Sequence, residues 1–236
     1  MNPEPEDSEA AAQHPSFTGV RNIVEACARL TEVDGAAVAL LGTSRNVRQL
    51  VYATDPRSLR LDELQFTVGE GPCVDAHRDD QPVRIHDITG PEAMLRWPMF
   101  SHGARELGVR GLFAYPLGVD VPFGVLEMHR LTPGDLTPTE HDAALTCAAS
   151  LTNGILATFA HPAFAEPSGT PASTDPFDRT SVYLAAGMVA VQLRVSTAVA
   201  MDRLRAHAFA LDRSLIEVAA EVVSRRLAFR DEGDRS

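Results

Sequence analysis

Apolar residues recur at helical spacing from Phe17 to Leu30, at Val20, Ile23, Val24, Cys27 and Leu30, and Asp34-Gly35 then supplies a turn. AAVALLG (36–42) and RQLVYAT (48–54) are runs of β-forming residues on either side of a polar loop, which predicts a hairpin. PVRIHDI (82–88), GLFAYPLGV (111–119) and FGVLEMHR (123–130) predict further strands, the last two flanking a turn at Asp120-Val121-Pro122. Thr137-Pro138-Thr139-Glu140 has the form of a helix start: the threonine caps the first amides, the proline suits the first helical position, and the glutamate reaches back. That helix is expected to run to about Phe159. The order of helix, two strands, long irregular middle, two more strands and closing helix implies an antiparallel sheet with helices on one side. A ligand pocket would form at the irregular middle.

Four prolines punctuate residues 161–178, which predicts an exposed, semi-stiff linker. Beyond it, TSVYLAAGMVAVQL has helical length and no charge; a glycine inside a helix costs about 1 kcal/mol relative to alanine, so Gly187 suggests the close approach of another helix. Ser196 is a good N-cap for a second helix that buries Ala200, Leu204, Ala208 and Leu211. Ser214-Leu215-Ile216-Glu217 reads as a capping box for a third, which buries Leu215, Val218, Ala219 and Val222. The expected organisation is a disordered tail (1–16), a sensor domain (17–160), the linker (161–178) and a three-helix module (179–230).

With 44% hydrophobic and 22% charged residues in 236, the chain falls in the globular class. The uncharged run Ala143 to Ala165 raises the transmembrane question, but Thr146, Ser150, Thr152, Asn153, Gly154, His161 and Pro162 interrupt it, so a buried or dimer-forming helix is expected. The acidic, proline-containing start has no signal-peptide pattern, which predicts a cytoplasmic protein. Cys27, Cys73 and Cys147 are widely spaced, which argues against a disulfide framework or a structural zinc site. The net charge of −11 argues against a nucleic-acid partner, yet residues 181–230 hold seven arginines against Asp202, Asp212, Glu217 and Glu221, a local +3 that leaves −14 for the remainder.

Gly69-Glu70-Gly71-Pro72-Cys73-Val74-Asp75-Ala76, then Arg96-Trp97-Pro98, Ala104 with Gly108-Val109, and Tyr115-Pro116-Leu117 resemble a GAF domain of the actinobacterial type fused to an output module. The resemblance covers about Phe17 to Ala160. It implies a six-stranded sheet, helices that can pair two subunits, and a pocket that in relatives binds small molecules, cofactors or nothing known; ligand identity does not carry over, so the cofactor stays undetermined. From the residues, the two glycines and Pro72 predict a tight turn opening a short helix. Cys73 beside it is either a packed small side chain or a redox-sensitive thiol. Cys73, Trp97, Phe113, Tyr115 and Met128 are candidate pocket residues, with a purely structural role as the competing reading. Cys73, Asp75, His77 and His86 lack the spacing typical of metal ligands, and no nucleophile signature accompanies Cys73 with His77, His86 or His102 as base. No enzymatic activity is expected.

Ala185-x-Gly187-Met188, Ser196, Ala200, Leu204-Arg205, Ala208, Leu215, Val218-Ala219 and Val222-Val223 resemble the ANTAR module, a three-helix RNA-binding domain of transcription antiterminators. The resemblance implies a protein that, like its relatives, usually as dimers, binds paired RNA stem-loops and prevents a terminator from forming; a homodimer is expected, and the interrupted run Ala143 to Ala165 predicts no membrane partner. Two positions depart from that family's pattern: Ala186, where it usually has lysine, and Gln192, where it usually has a basic residue. Arg194, Arg203, Arg205 and Arg213 are the candidate RNA-binding residues, since arginine binds phosphate and stacks on loop bases. The expected function is signal-controlled, RNA-binding antitermination; the alternative is a sensor that has lost RNA binding and acts through protein partners.

Overall fold

The computed structural model describes residues 19–42, 48–159, 179–211 and 213–230. The expected tail (1–16) and linker (161–178) lie outside them. Helix α1 (Val20–Leu30) turns Val20, Val24 and Cys27 inward. Strands β1 (Gly35–Leu41) and β2 (Arg48–Ala53) form the expected hairpin, with Ala37 opposite Ala53. Four helices and one strand follow: α2 (Pro56–Val68), α3 (Pro72–Asp79), β3 (Val83–Ile85), α4 (Pro91–Arg96) and α5 (Pro98–Glu106). A second hairpin, β4 (Gly111–Gly118) and β5 (Pro122–Arg130), leads to the closing helix α6 (Pro138–Phe159).

The start of α6 is the capping box that the sequence predicts: the Thr137 N–H donates to Glu140 Oε2 at 2.6 Å and the Glu140 N–H to Thr137 Oγ1 at 3.3 Å. The sheet is antiparallel in the order β2-β1-β5-β4-β3. Among the described residues it has five strands where the GAF resemblance implies six. Helices cover both of its faces, not one. Cys27, Val24, Cys147, Leu151 and Ile155 of α1 and α6 pack on Phe113, Tyr115 and Met128. On the opposite face Leu61, Cys73, Trp97 and Phe100 of the middle segment pack on Ala37, Leu112, Ala114 and Val125. Side chains alternate along each strand, so both hairpins need apolar residues at nearly every position.

α3 opens at Pro72 where the two glycines and the proline predict a short helix, whereas α2 was hidden because it buries polar residues. Asp55 accepts from the N–H groups of Arg57 and Ser58, and Pro56 opens the helix. Its inward face carries Ser58, Asp62 and Gln65 beside Leu61 and Phe66, so hydrophobicity alone shows no helical period.

The C-terminal residues form α7 (Thr180–Leu193), α8 (Thr197–Ala210) and α9 (Leu215–Val223). Ser196 caps α8 through the Val199 N–H and Ser214 caps α9 through the Ile216 N–H. Ala200, Leu204 and Ala208, with Leu215, Val218, Ala219 and Val222, are buried as the periodicity predicts. Leu211 is exposed instead, because α8 ends at Ala210. Among the described residues nothing lies within 4 Å of the position a Cβ would take at Gly187, so the close helix expected there is absent from them. The whole is α+β, a layered sheet-and-helix unit joined to a small all-α module. Among the described residues no single helix is long and apolar enough to cross a membrane, although the bent pair α7 and α8 passes that test by length and composition.

Candidate functional site

The seam between sensor and module is built on α2. Phe66, on the last turn of that helix, belongs to the core of the three-helix module, packed with Val182, Leu204, Leu215 and Val218. The Arg179 guanidinium lies 4.1 Å from the centre of its ring, Arg205 lies 6.0 Å away, and Tyr183 meets it edge-on at 6.0 Å. Arg205 also donates from Nε and Nη2 to the Phe66 carbonyl, at 3.1 and 2.9 Å, satisfying one of the carbonyls that a helix end leaves unpaired. The chain leaves α2 through Gly69 at φ +75°, and a Cβ there would lie 2.8 Å from Arg205 Nη1. Glycine is therefore favoured by the left-handed backbone, and a side chain there would displace the tip of Arg205.

One turn earlier, Asp62 is fully buried between the Arg48 Nε and Arg179 Nη2 groups, the latter at 2.6 Å. The Tyr183 hydroxyl accepts from the Arg48 N–H and donates to the Arg48 carbonyl, both at 2.6 Å, tying α7 to the sheet edge at β2. Beneath them Gln65 Nε2 donates to both oxygens of Glu127, at 3.0 and 2.9 Å, and Gln65 Oε1 accepts the Cys73 N–H at 2.8 Å. Arg48 Nη2 is 3.7 Å from Glu127. A continuous polar chain thus runs from module (Arg179, Tyr183) through α2 and β2 (Asp62, Arg48) to β5 (Glu127) and the start of α3 (Cys73).

Burial works against ionisation throughout this chain, with different outcomes. For Asp62 the two guanidiniums prevail over burial and hold the carboxyl below the usual range. For Glu127 burial prevails over the more distant Arg48 and pushes the carboxyl up to about 7. The Cys73 thiol is pushed well up by burial and by Glu127, the reverse of the activation that a redox-sensitive thiol needs.

The five candidate pocket residues do not meet. Strand alternation sends Phe113, Tyr115 and Met128 to the α1/α6 face, while Cys73 and Trp97 lie on the other. Trp97 Nε1 donates to Asp75 Oδ2 at 3.1 Å, and Tyr115 pairs its hydroxyl with His141 Nδ1 at 2.7 Å. The four candidate arginines are also dispersed. Arg194 and Arg203 are exposed, Arg213 forms a two-pronged pair with Glu221 at 3.0 Å, and Arg205 is turned into the seam, where burial lowers its affinity for a proton. Arg48, Asp62, Gln65, Glu127 and Arg179 were missed. The available signal was a glutamate set between Leu126 and Met128 in the strand FGVLEMHR, and an aspartate four positions before Phe66, on the same face of a helix.

Cavities follow the seam. One of about 350 Å³ lies between α2, α5 and the start of α9, lined by Arg60, Leu64, Phe66, Leu107, Arg179 and Ile216. A second of about 470 Å³ is bounded by Val68, Met99, Arg205, Phe209 and Arg213. A third, of about 620 Å³, is bounded by Glu70, Asp75, Arg96, Trp97, Asp202 and Arg205. Each exceeds the lower limit of small-molecule sites and touches both halves of the chain. Among the described residues no group of three or more His, Cys, Asp or Glu could hold a metal ion.

The family model of the GAF domain matches residues 20–155. A domain ascribed to a two-component sensor histidine kinase of Sinorhizobium meliloti 1021 is similar at 17% identity, over 63% of this chain and 95% of its own, with a TM-score of 0.51. The GAF domain of a phosphoenolpyruvate-protein phosphotransferase from Coxiella burnetii is similar at 18% identity, over 58% of this chain and 82% of its own, with a TM-score of 0.45. No curated protein matches the chain.

Proposed function

The chain belongs to the GAF domain family, and from that premise we propose that it is a signal-controlled regulator whose three-helix module binds structured RNA and alters transcription termination. The GAF unit supplies the signal-sensing role. The observation that carries the coupling is the position of α2: Asp62 and Gln65 belong to the sensor's buried polar chain, while Phe66 belongs to the module's core. A ligand that shifts α2, from any of the seam cavities, changes both at once, because packed cores respond by switching between arrangements and not by bending. The module acts as part of a homodimer, for which α6, uncharged from Ala143 onward, offers an outer face with Leu145 and Leu156 exposed. No reaction is assigned to it.

RNA is favoured as the target because Arg194 and Arg203 stand exposed on a module whose residues 181–230 carry a local +3, against −14 for the remainder of the chain. Titration of the full-length protein against a two-hairpin RNA at several salt concentrations tests this. Salt-sensitive binding weakened by Arg203→Ala is the expected result. Arg205→Ala is expected to act through the seam, changing how binding responds to the sensor and leaving the salt slope unaltered.

A second reading, output through a protein partner, is favoured by α7: it carries no charge, buries Ala186, and turns Leu184 and Val191 outward. Absence of RNA binding at low salt in both the full-length protein and Arg205→Ala would select it.

A further inference from the structure

On α8, Arg203 and Arg205 are two residues apart and so project about 200° from one another around the helix. Arg205 faces the sensor; Arg203 faces a different cavity, of about 360 Å³, to which the sensor contributes no residue. Leu193, Val195, Arg203, His207, Phe229 and Arg230 line it, together with Ala206. Its walls combine two guanidiniums, an imidazole, an aromatic ring and an apolar floor. Among the described residues no carboxylate lines it, and neither Arg203 nor Arg230 forms an ion pair.

The aromatic wall is held in place. The Phe229 N–H donates to Gln192 Oε1 at 2.8 Å, and the Phe229 ring meets the His207 ring at 5.1 Å with 62° between their planes. Gln192, which stands where the ANTAR pattern has a basic residue, thus fixes the segment that carries Phe229.

We propose that this cavity is a nucleotide-binding site, in which an unpaired base stacks on Phe229 beside His207 and its phosphate lies between Arg203 and Arg230. The chemistry requires both parts: a planar base matches the aromatic ring and the apolar floor, and an anion matches the two arginines. The size is that of a small-ligand pocket and excludes a duplex. The inference rests on the RNA reading for the source of the nucleotide, an RNA loop; a free mononucleotide carries the same groups.

The test uses the full-length protein and its Phe229→Ala, Phe229→Trp, Arg203→Ala and Arg230→Ala variants, each checked by thermal melting. The probes are a hairpin RNA pool with a randomised loop and, separately, AMP, GMP, CMP and UMP. Expected is RNA binding that Phe229→Ala weakens about tenfold or more and Phe229→Trp retains, with the fluorescence of the introduced indole quenched on binding. Each arginine variant is expected to reduce the salt dependence by about one counterion. Mononucleotide binding with the same variant dependence and no RNA binding would uphold the site and overturn the RNA reading. RNA binding indifferent to Phe229→Ala, Arg203→Ala and Arg230→Ala would overturn the site and leave the RNA reading standing. Binding of neither probe would overturn both. If Phe229→Ala does not fold, Phe229→Trp and the arginine variants decide between the same outcomes.

Discussion

Glu127 is the residue at which burial and charge are most finely balanced. It faces Arg48, Asp62, Gln65 and Cys73, and burial raises its carboxyl to about 7, against about 4.3 for a glutamate in an unfolded chain. A group raised in the folded state contributes stability that is complete below the unfolded value and is lost as pH rises through the folded one. Stability is therefore expected to fall between about pH 4.5 and 7. Glu127→Gln, which keeps a partner for Gln65 and cannot ionise, removes that slope. Chemical denaturation at pH 5 and pH 8 checks this: the variant should gain on wild type by on the order of 2 kcal/mol at the higher pH. An equal difference at both pH values would show that Glu127 does not ionise in this window.

α2 is the element on which the two halves depend. Its N-terminus carries a local signal, Asp55-Pro56, a cap followed by a residue suited to the first turn, that the expected long irregular middle left out. Its inward face carries no apolar period: Ser58 is held locally by the Asp55 cap, but the aspartate and the glutamine are buried for reasons that lie far along the chain, Arg179 at the N-cap of α7 and Glu127 from β5. Helices α6, α8 and α9 declared themselves through Thr137, Ser196 and Ser214, whose capping bonds are local and so are fixed by neighbours in sequence. Phe66→Ala removes the α2 ring from the module's core, at a cost of about 3–5 kcal/mol for a buried aromatic. Because that core is shared, the expected result is faster amide exchange in α7 and α8 with protection of β4 and β5 unchanged. Uniform loss of protection across both halves would mean that sensor and module unfold as one unit.

At the scale of the molecule, the seam is held by one anion between two cations. Asp62 is the shared partner of Arg48 and Arg179, and all three are removed from solvent. Asp62→Asn leaves two buried guanidiniums short of their counter-charge, which is expected to destabilise the full chain by about 3–5 kcal/mol. Arg179→Met should cost less, since Asp62 keeps Arg48 and a flexible apolar side chain can replace the stack on Phe66. Urea denaturation of the two variants gives the order, and a larger loss for Arg179→Met would place the weight of the seam on the cation–π contact instead of on the ion pair.

By itself the sequence determined what depends on near neighbours: the two hairpins from their β-forming runs and turns, the helix starts from their caps, and the apolar phase of α8 and α9 from their spacing. It also carried the family signature around Gly69 to Ala76. Tertiary structure alone decided which face each side chain serves. Phe113, Tyr115 and Met128 were separated from Cys73 and Trp97 by the pleat of a sheet covered on both sides. Arg205 was drawn onto the Phe66 carbonyl while Arg203, two residues earlier, was left at the opposite cavity. A charge's role depends on which oppositely charged or aromatic group folding brings to it, and Asp62 and Arg179 are 117 residues apart.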